Sequence, residues 1–238
     1  MAAVEIAELF ETPLLHVPIA QAAAIDAPLR ELIRRRRRSH PAADPAFPAE
    51  WHSDRDMLAW GGDVALLLLD GITALADAYT ADVGRQDLRR YAWAPEMWAS
   101  ARWRGAAGPH RCHPGAFWTA IYYIDDGYAG ATDQSLGGEL EFEDPRLPTL
   151  LADGPHLRIV TGPNAPPPAT ALRIRPAPGQ LLVFPGWLRH ATRPLLTAGE
   201  QLTVTVALRP IQAPPNRRAS AGIPLPSGLN RLHGYHSR

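Results

Sequence analysis

Two histidine-bearing segments, far apart along the chain, constrain the fold more than any other feature. The first is His110-Arg-Cys-His-Pro-Gly-Ala-Phe-Trp-Thr-Ala-Ile-Tyr-Tyr-Ile124, and the second is Leu181-Leu-Val-Phe-Pro-Gly-Trp-Leu-Arg-His190. Each joins imidazole to an apolar run of strand-forming residues. A metal site on a small β-barrel needs this arrangement, with a short ligand cluster from one strand and a lone histidine from a distant one. Ligands so remote in sequence meet only where both strands line one barrel mouth. Neutral imidazole is the commonest protein ligand for catalytic iron and other first-row metals, which makes His113 and His190 the expected metal-binding and catalytic pair. A non-heme iron centre also keeps positions open for cosubstrate and oxygen, so few protein ligands are expected.

The chain before and after these segments divides into layers. Ala20 to Arg38 and Asp63 to Ala81 carry apolar residues at helical spacing, separated by the proline-rich connector Pro41 to Pro48 and by Trp51-His-Ser-Asp54, where Ser53 or Asp54 caps a short helix. From Trp98 the pattern turns to strands. Thr119 to Ile124 is apolar on both faces, Gly138 to Glu143 alternates, and Leu172–Arg175, Gln180–Phe184 and Gln201–Leu208 supply three more. Short strands broken by glycine and proline, after a helical lead-in, describe a mainly β, jelly-roll, cupin-like barrel buttressed by N-terminal helices. The expected organisation is a single domain over residues 1–210, with a helical layer (1–95) and a barrel (96–210), followed by a flexible tail (211–238).

Charge removes several function classes. The 24 basic and 24 acidic residues cancel, and every basic residue is arginine. Nucleic acid and anionic membranes call for a basic surplus, so neither is an expected partner. The longest apolar run, Val64 to Leu69, is far too short to cross a bilayer. The acidic start lacks the basic region of a signal peptide, and one cysteine excludes an internal disulfide, so a soluble cytoplasmic protein is expected. The run Arg34 to Arg38 reads as the solvated end of a helix, where cations complement the dipole. Trp98 and Trp103 read as packing a strand against the helices, and Trp187 either shields the metal mouth or packs in the core.

Five landmarks in this order resemble the 2-oxoglutarate and Fe(II)-dependent oxygenases of the prolyl-4-hydroxylase-like superfamily, and within it a bacterial branch. They are Leu9-Phe-Glu-Thr-Pro13, Trp51-His-Ser53, His113 to Gly127, Gly137 to Arg146, and Phe184 to His190. The resemblance spans roughly residues 9 to 210, and it implies a double-stranded β-helix barrel, Fe(II), 2-oxoglutarate and dioxygen. Its superfamily presents His-x-Asp or His-x-Glu as the first ligand pair, and the branch presents His-x-His-Pro-Gly. This chain has His110-Arg-Cys-His113-Pro114 instead. His110 is therefore the expected third metal ligand, after a one-residue shift in the approach loop. Cys112, or a metal with only two protein ligands, are the alternatives. Asp144, Asp125 and Asp126 read as turn residues.

A second departure concerns the cosubstrate. The family pairs the distal carboxylate of 2-oxoglutarate with an arginine at the start of the last core strand, and here that position holds Gln201. By alternation Gln201, Thr203 and Thr205 share one polar face. Tyr123 matches the family tyrosine that contacts the same carboxylate. The expected cosubstrate residues are thus Tyr123, Gln201 and Thr205, with the missing cation supplied by Arg193, or by Arg173 or Arg175. Tyr128–Leu136 and Leu147–Thr170 read as lids over the mouth. The resulting expectation is a dioxygenase that hydroxylates or otherwise oxidises a C–H bond of a small molecule or peptide. A non-catalytic metal- or small-molecule-binding barrel is the alternative, because the usual carboxylate ligand and arginine are both replaced.

Overall fold

The computed structural model describes residues 11–20, 22–41, 48–83 and 91–213. The tail expected at 211–238 falls outside the described residues from 214 onward, as do Leu9 and Phe10 of the first landmark. In chain order the elements are β1 (Leu15–Pro18), α1 (Ala22–Ser39), β2 (Glu50–His52), α2 (Met57–Trp60), α3 (Gly62–Ala78), β3 (Tyr91–Arg102), β4 (Gly108–Arg111), β5 (Trp118–Asp126), β6 (Leu140–Glu143), α4 (Leu147–Asp153), β7 (Ala171–Ile174), β8 (Gln180–Pro185), β9 (His190–Thr192) and β10 (Gln201–Gln212).

Two antiparallel sheets face each other. The larger runs β1-β8-β5-β10-β3-β2 and the smaller β4-β9-β6-β7. The expected jelly roll with a helical lead-in is what forms, with α1 and α3 laid on the outer face of the six-stranded sheet. That sheet is consequently buried on both faces, which is why β5, β8 and most of β10 are buried continuously.

Alternation then sorts the side chains. On the helix side, Ala99, Ala101, Tyr122, Val183, Leu202, Val204 and Val206 join Leu29, Ile33, Leu68 and Ile72 in one core. On the barrel side, Ile121, Tyr123, Leu140, Phe142, Leu182, Phe184 and Leu188 form a second, smaller core. Polar residues of β10 and β3 share that inner side. The register fixes which ones meet, with Gln201 opposite Arg102, Thr203 opposite Ser100 and Thr205 opposite Trp98.

Buried polar groups fasten the helices to the sheet. The Tyr122 hydroxyl donates to Asp26 of α1 at 2.6 Å. Indole N–H groups do the same work, Trp118 donating to Thr80 at 2.8 Å and Trp93 to Asp77 at 2.7 Å. Arg34 and Arg37 pair with Glu200 at the foot of β10, while Arg36 and Arg37 stack over Trp60 and Trp103. The arginine run is thus a clamp between helix and barrel, correcting its reading as a merely solvated end. The short helix α2 also starts later than expected, with Asp56 as its N-cap residue. Ser53 instead accepts a hydrogen bond from the backbone of Ala99. No helix among the described residues is long and apolar enough to cross a membrane.

Leu29, wholly buried between α1 and the sheet, measures how much the helical layer contributes. Leu29→Ala is expected to cost about 2–5 kcal/mol of unfolding free energy in urea denaturation, by lost burial and the cavity left behind.

Candidate metal and cosubstrate site

His113 and His190 come together inside the barrel, at the end where β4, β8 and β9 meet. The turn Pro185-Gly-Trp187 makes this possible. The His113 N–H donates to the Gly186 carbonyl at 2.8 Å, and the Gly186 N–H donates to Phe117 at 3.0 Å. A side chain at Gly186 would lie 2.3 Å from the Ala116 carbonyl oxygen, so only glycine lets the two histidine segments approach this closely. His190 opens β9, directly opposite Arg111 of β4 on one side and Phe142 of β6 on the other.

The two imidazoles lie 5.3 Å apart between ring centroids, inclined at 34°. Trp98 packs on His113 at 5.4 Å, and Phe184 meets the edge of His190 at 5.0 Å. His190 Nδ1 lies 3.0 Å from the Leu188 carbonyl. A carbonyl only accepts, so Nδ1 carries the proton and Nε2 keeps its lone pair. Burial pushes both histidines down to about 4, with Arg111 adding to the effect and His190 itself weighing on His113. Both rings are therefore neutral at neutral pH, the form that ligates a metal.

The third expected ligand is not brought to this pair. His110 lies on the outer side of β4, where its Nε2 is 3.7 Å from Glu141, and its side chain is well exposed. Strand alternation accounts for this, since His110 and Arg111 are neighbours on β4 and point to opposite faces. Cys112 faces an adjoining cleft instead. Among the described residues no three histidine, cysteine or acidic side chains gather as a metal-holding group. Of the residues expected as ligands, His113 and His190 face each other and His110 and Cys112 do not join them.

Trp98, Arg102, Arg111, Ile121, Tyr123, Leu140, Thr192, Thr203 and Thr205 line the interior beside the two histidines. Tyr123 and Thr205 thus sit where the sequence placed them. Gln201 is buried next door, but its side-chain amide donates to the Gly138 carbonyl at 3.1 Å, and it does not line this space. Arg193 turns outward to Glu139 and Glu141, Arg173 pairs with Glu141, and Arg175 lies over the ring of Tyr128. None of these three arginines reaches the interior, so each is corrected as the missing cation.

Two arginines that the sequence reading passed over do reach it. Arg102 is 5% exposed and pairs through Nε with Glu50 at 2.5 Å. Arg111 lines the same space, and its buried Nε has no hydrogen-bond partner. Burial alone would raise Glu50, yet the hydrogen bond from His52 and the charges of Arg102 and Arg111 hold it at about 2. The side-chain oxygens of Thr119, Thr203 and Gln201 are also buried without partners. The alternation Trp98-Ala-Ser-Ala-Arg102 was the available signal, since its alanines face the helices while Trp98, Ser100 and Arg102 face inward.

The interior is narrow, with about 10 Å³ free, room for roughly one water. A larger ligand fits only if side chains lining this space move. Past Arg111 and His113 it adjoins a cleft of about 230 Å³ lined also by His52, Ser53, Arg55, Trp98 and Cys112. Trp98 therefore serves the site, not the helix packing expected of it; Trp103 does pack against the helix-side core. Trp187 is 53% exposed and lines neither space.

Residues 96–207 match the family model described as "Putative 2OG-Fe(II) oxygenase". The barrel is thus similar to the 2OG-Fe(II) oxygenases over these residues. The enzymes of that family are oxidoreductases that use iron(II) and 2-oxoglutarate. Solved structures share the fold at low identity. A prolyl-4-hydroxylase from Pseudomonas putida is 18% identical with a TM-score of 0.53, over 83% of this chain and 92% of that one. A Trichoplax adhaerens prolyl hydroxylase, in complex with a peptide fragment of the hypoxia inducible factor oxygen degradation domain, is 12% identical with a TM-score of 0.56, over 82% and 83%. HygX from Streptomyces hygroscopicus, with nickel, 2-oxoglutarate and hygromycin B bound, is 18% identical with a TM-score of 0.53, over 83% of each chain. No curated protein matches the chain.

The donor set fits the cofactor chemistry of this class. Two neutral imidazoles suit iron(II), and buried guanidinium and hydroxyl groups beside them suit a dicarboxylate. The histidines also set a pH dependence. In the unfolded chain they protonate near pH ~6.5, whereas in the fold they stay neutral down to about 4. Acidification through that window therefore favours the unfolded state, by at most about 3 kcal/mol per histidine. Metal-free protein is expected to lose denaturant stability between these two pH values, and His190→Gln is expected to flatten the loss.

Proposed function

We propose that the chain is a 2-oxoglutarate and Fe(II)-dependent dioxygenase in which His113 and His190 hold the iron, and that it hydroxylates or otherwise oxidises a C–H bond of a small molecule or peptide. The observation that carries this reading is the pair of buried, neutral imidazoles facing each other at the barrel mouth. Iron with its cosubstrate and dioxygen supplies the oxidising chemistry, and the protein supplies positioning.

Each surrounding residue has a task in that scheme. The Leu188 carbonyl fixes the His190 tautomer so that Nε2 is the ligating atom. Trp98, Phe142 and Phe184 wall the histidines with rings and limit water on that side. Thr203, Thr205, Thr192 and Tyr123 present hydroxyl groups to a polar ligand in the interior. With two protein ligands, more positions remain for small ligands than in a centre that also has a carboxylate. The adjoining cleft lies against His113 and is the place for the primary substrate. Its size suits a small molecule or a single peptide side chain. HygX binds hygromycin B and the Trichoplax enzyme a peptide fragment, and the barrel fold serves both kinds of substrate.

Anaerobic titration of purified protein with Fe(II), followed by 2-oxoglutarate and then oxygen, tests this function. Metal binding and succinate release are expected in the wild type, with both lost by at least ~100-fold in His190→Ala. Metal binding without any succinate release across assayed substrates identifies a binding module instead of an enzyme.

A further inference from the structure

The barrel interior holds an imbalance of charge. Arg102 and Arg111 both enter it, and Glu50 is the carboxylate beside them, with His52 Nε2 also 3.0 Å from it. Among the described residues, one carboxylate for two guanidinium groups leaves a buried positive charge, which is costly without an anion. Among the described residues Arg102 has no ion pair other than the one its Nε makes with Glu50, so its terminal amino groups are not committed to a second carboxylate. Thr203 adds a hydroxyl oxygen without a partner to the lining of the same interior.

The register explains where such an anion belongs. Gln201 of β10 and Arg102 of β3 are paired residues, and Trp98, four residues back along the inner face of β3, packs on His113. Four residues of strand span about 13 Å. An arginine side chain and a five-carbon dicarboxylate fit end to end in that interval, with the keto acid end toward the histidines. We propose that Arg102 holds the distal carboxylate of 2-oxoglutarate from β3, replacing the cation that β10 lacks at Gln201, with the Thr203 hydroxyl beside it and Glu50 fixing the guanidinium. This rests on the reading of His113 and His190 as the metal ligands. The charge has moved across one pair of the strand ladder, and the carboxylate keeps a cationic partner.

Equilibrium binding without turnover isolates this role. Nickel-loaded protein is titrated calorimetrically with 2-oxoglutarate and with 2-oxopentanoate, which has the same keto acid end and no distal carboxylate. Wild type is expected to prefer 2-oxoglutarate by about 10- to 100-fold, the worth of a charge-assisted hydrogen bond. Arg102→Gln is expected to bring that preference to within about threefold, while 2-oxopentanoate binding and nickel affinity stay as in wild type; Arg102→Lys retains part of it. Because the readout is a ratio within one protein, a partly destabilised variant still reports it. Arg102→Gln with the preference intact, or Arg111→Gln losing it instead, overturns the assignment. Wild type that binds no nickel overturns the metal reading itself, a result distinct from either.

Discussion

The six-stranded sheet has no free face, and most of the site follows from that constraint. Helices cover one side and the smaller sheet covers the other. Along their buried stretches β3, β5 and β10 are therefore sorted by parity, mostly apolar toward the helices and with the polar groups toward the barrel. A one-residue slip of β10 would put Leu202 and Val204 into the polar interior and send Thr203 and Thr205 into the helix core. Register and chemistry are specified together.

Within that frame the histidines depend on a single close approach. The strap from His113 to Gly186 joins the two histidine segments through backbone, and the absence of a side chain at Gly186 permits it. Aromatic rings then hold the imidazoles, and burial keeps them neutral. Arg102 stands away from them along β3, whereas Arg111 lies opposite His190. Arg102 and Arg111, partly compensated by Glu50, give the barrel a positive interior although the chain as a whole carries no net charge. Local field and overall charge here report different things, the first about a ligand and the second about solubility.

Much of this was legible in the sequence, and for identifiable reasons. Alternation placed Tyr123, Thr203 and Thr205 inward, because strand period is a strong signal when both faces are buried. The two histidine segments announced a shared mouth because each joins an apolar run, His113 before its strand and His190 after its own. What sequence could not show was which side of β4 His110 would take, since a four-residue strand carries too little pattern to fix its phase. The missing cation was sought on strands that carry exposed arginines, Arg173, Arg175 and Arg193, yet it stands on β3. Only the antiparallel pairing of Arg102 with Gln201, a contact between residues distant in sequence, reveals the substitution. Trp98 was misjudged for a related reason: its large apolar ring suits a helix interface equally well, and parity alone sends it to the histidines.

The most direct test is a crystal structure with manganese and 2-oxoglutarate, reading the anomalous difference map. A single peak within bonding distance of Nε2 of His190 and of a ring nitrogen of His113, with the ligand's far carboxylate on Arg102, is the predicted result. A metal peak on the outer face of β4 between His110 and Glu141, with the inner imidazoles unligated, would contradict the account.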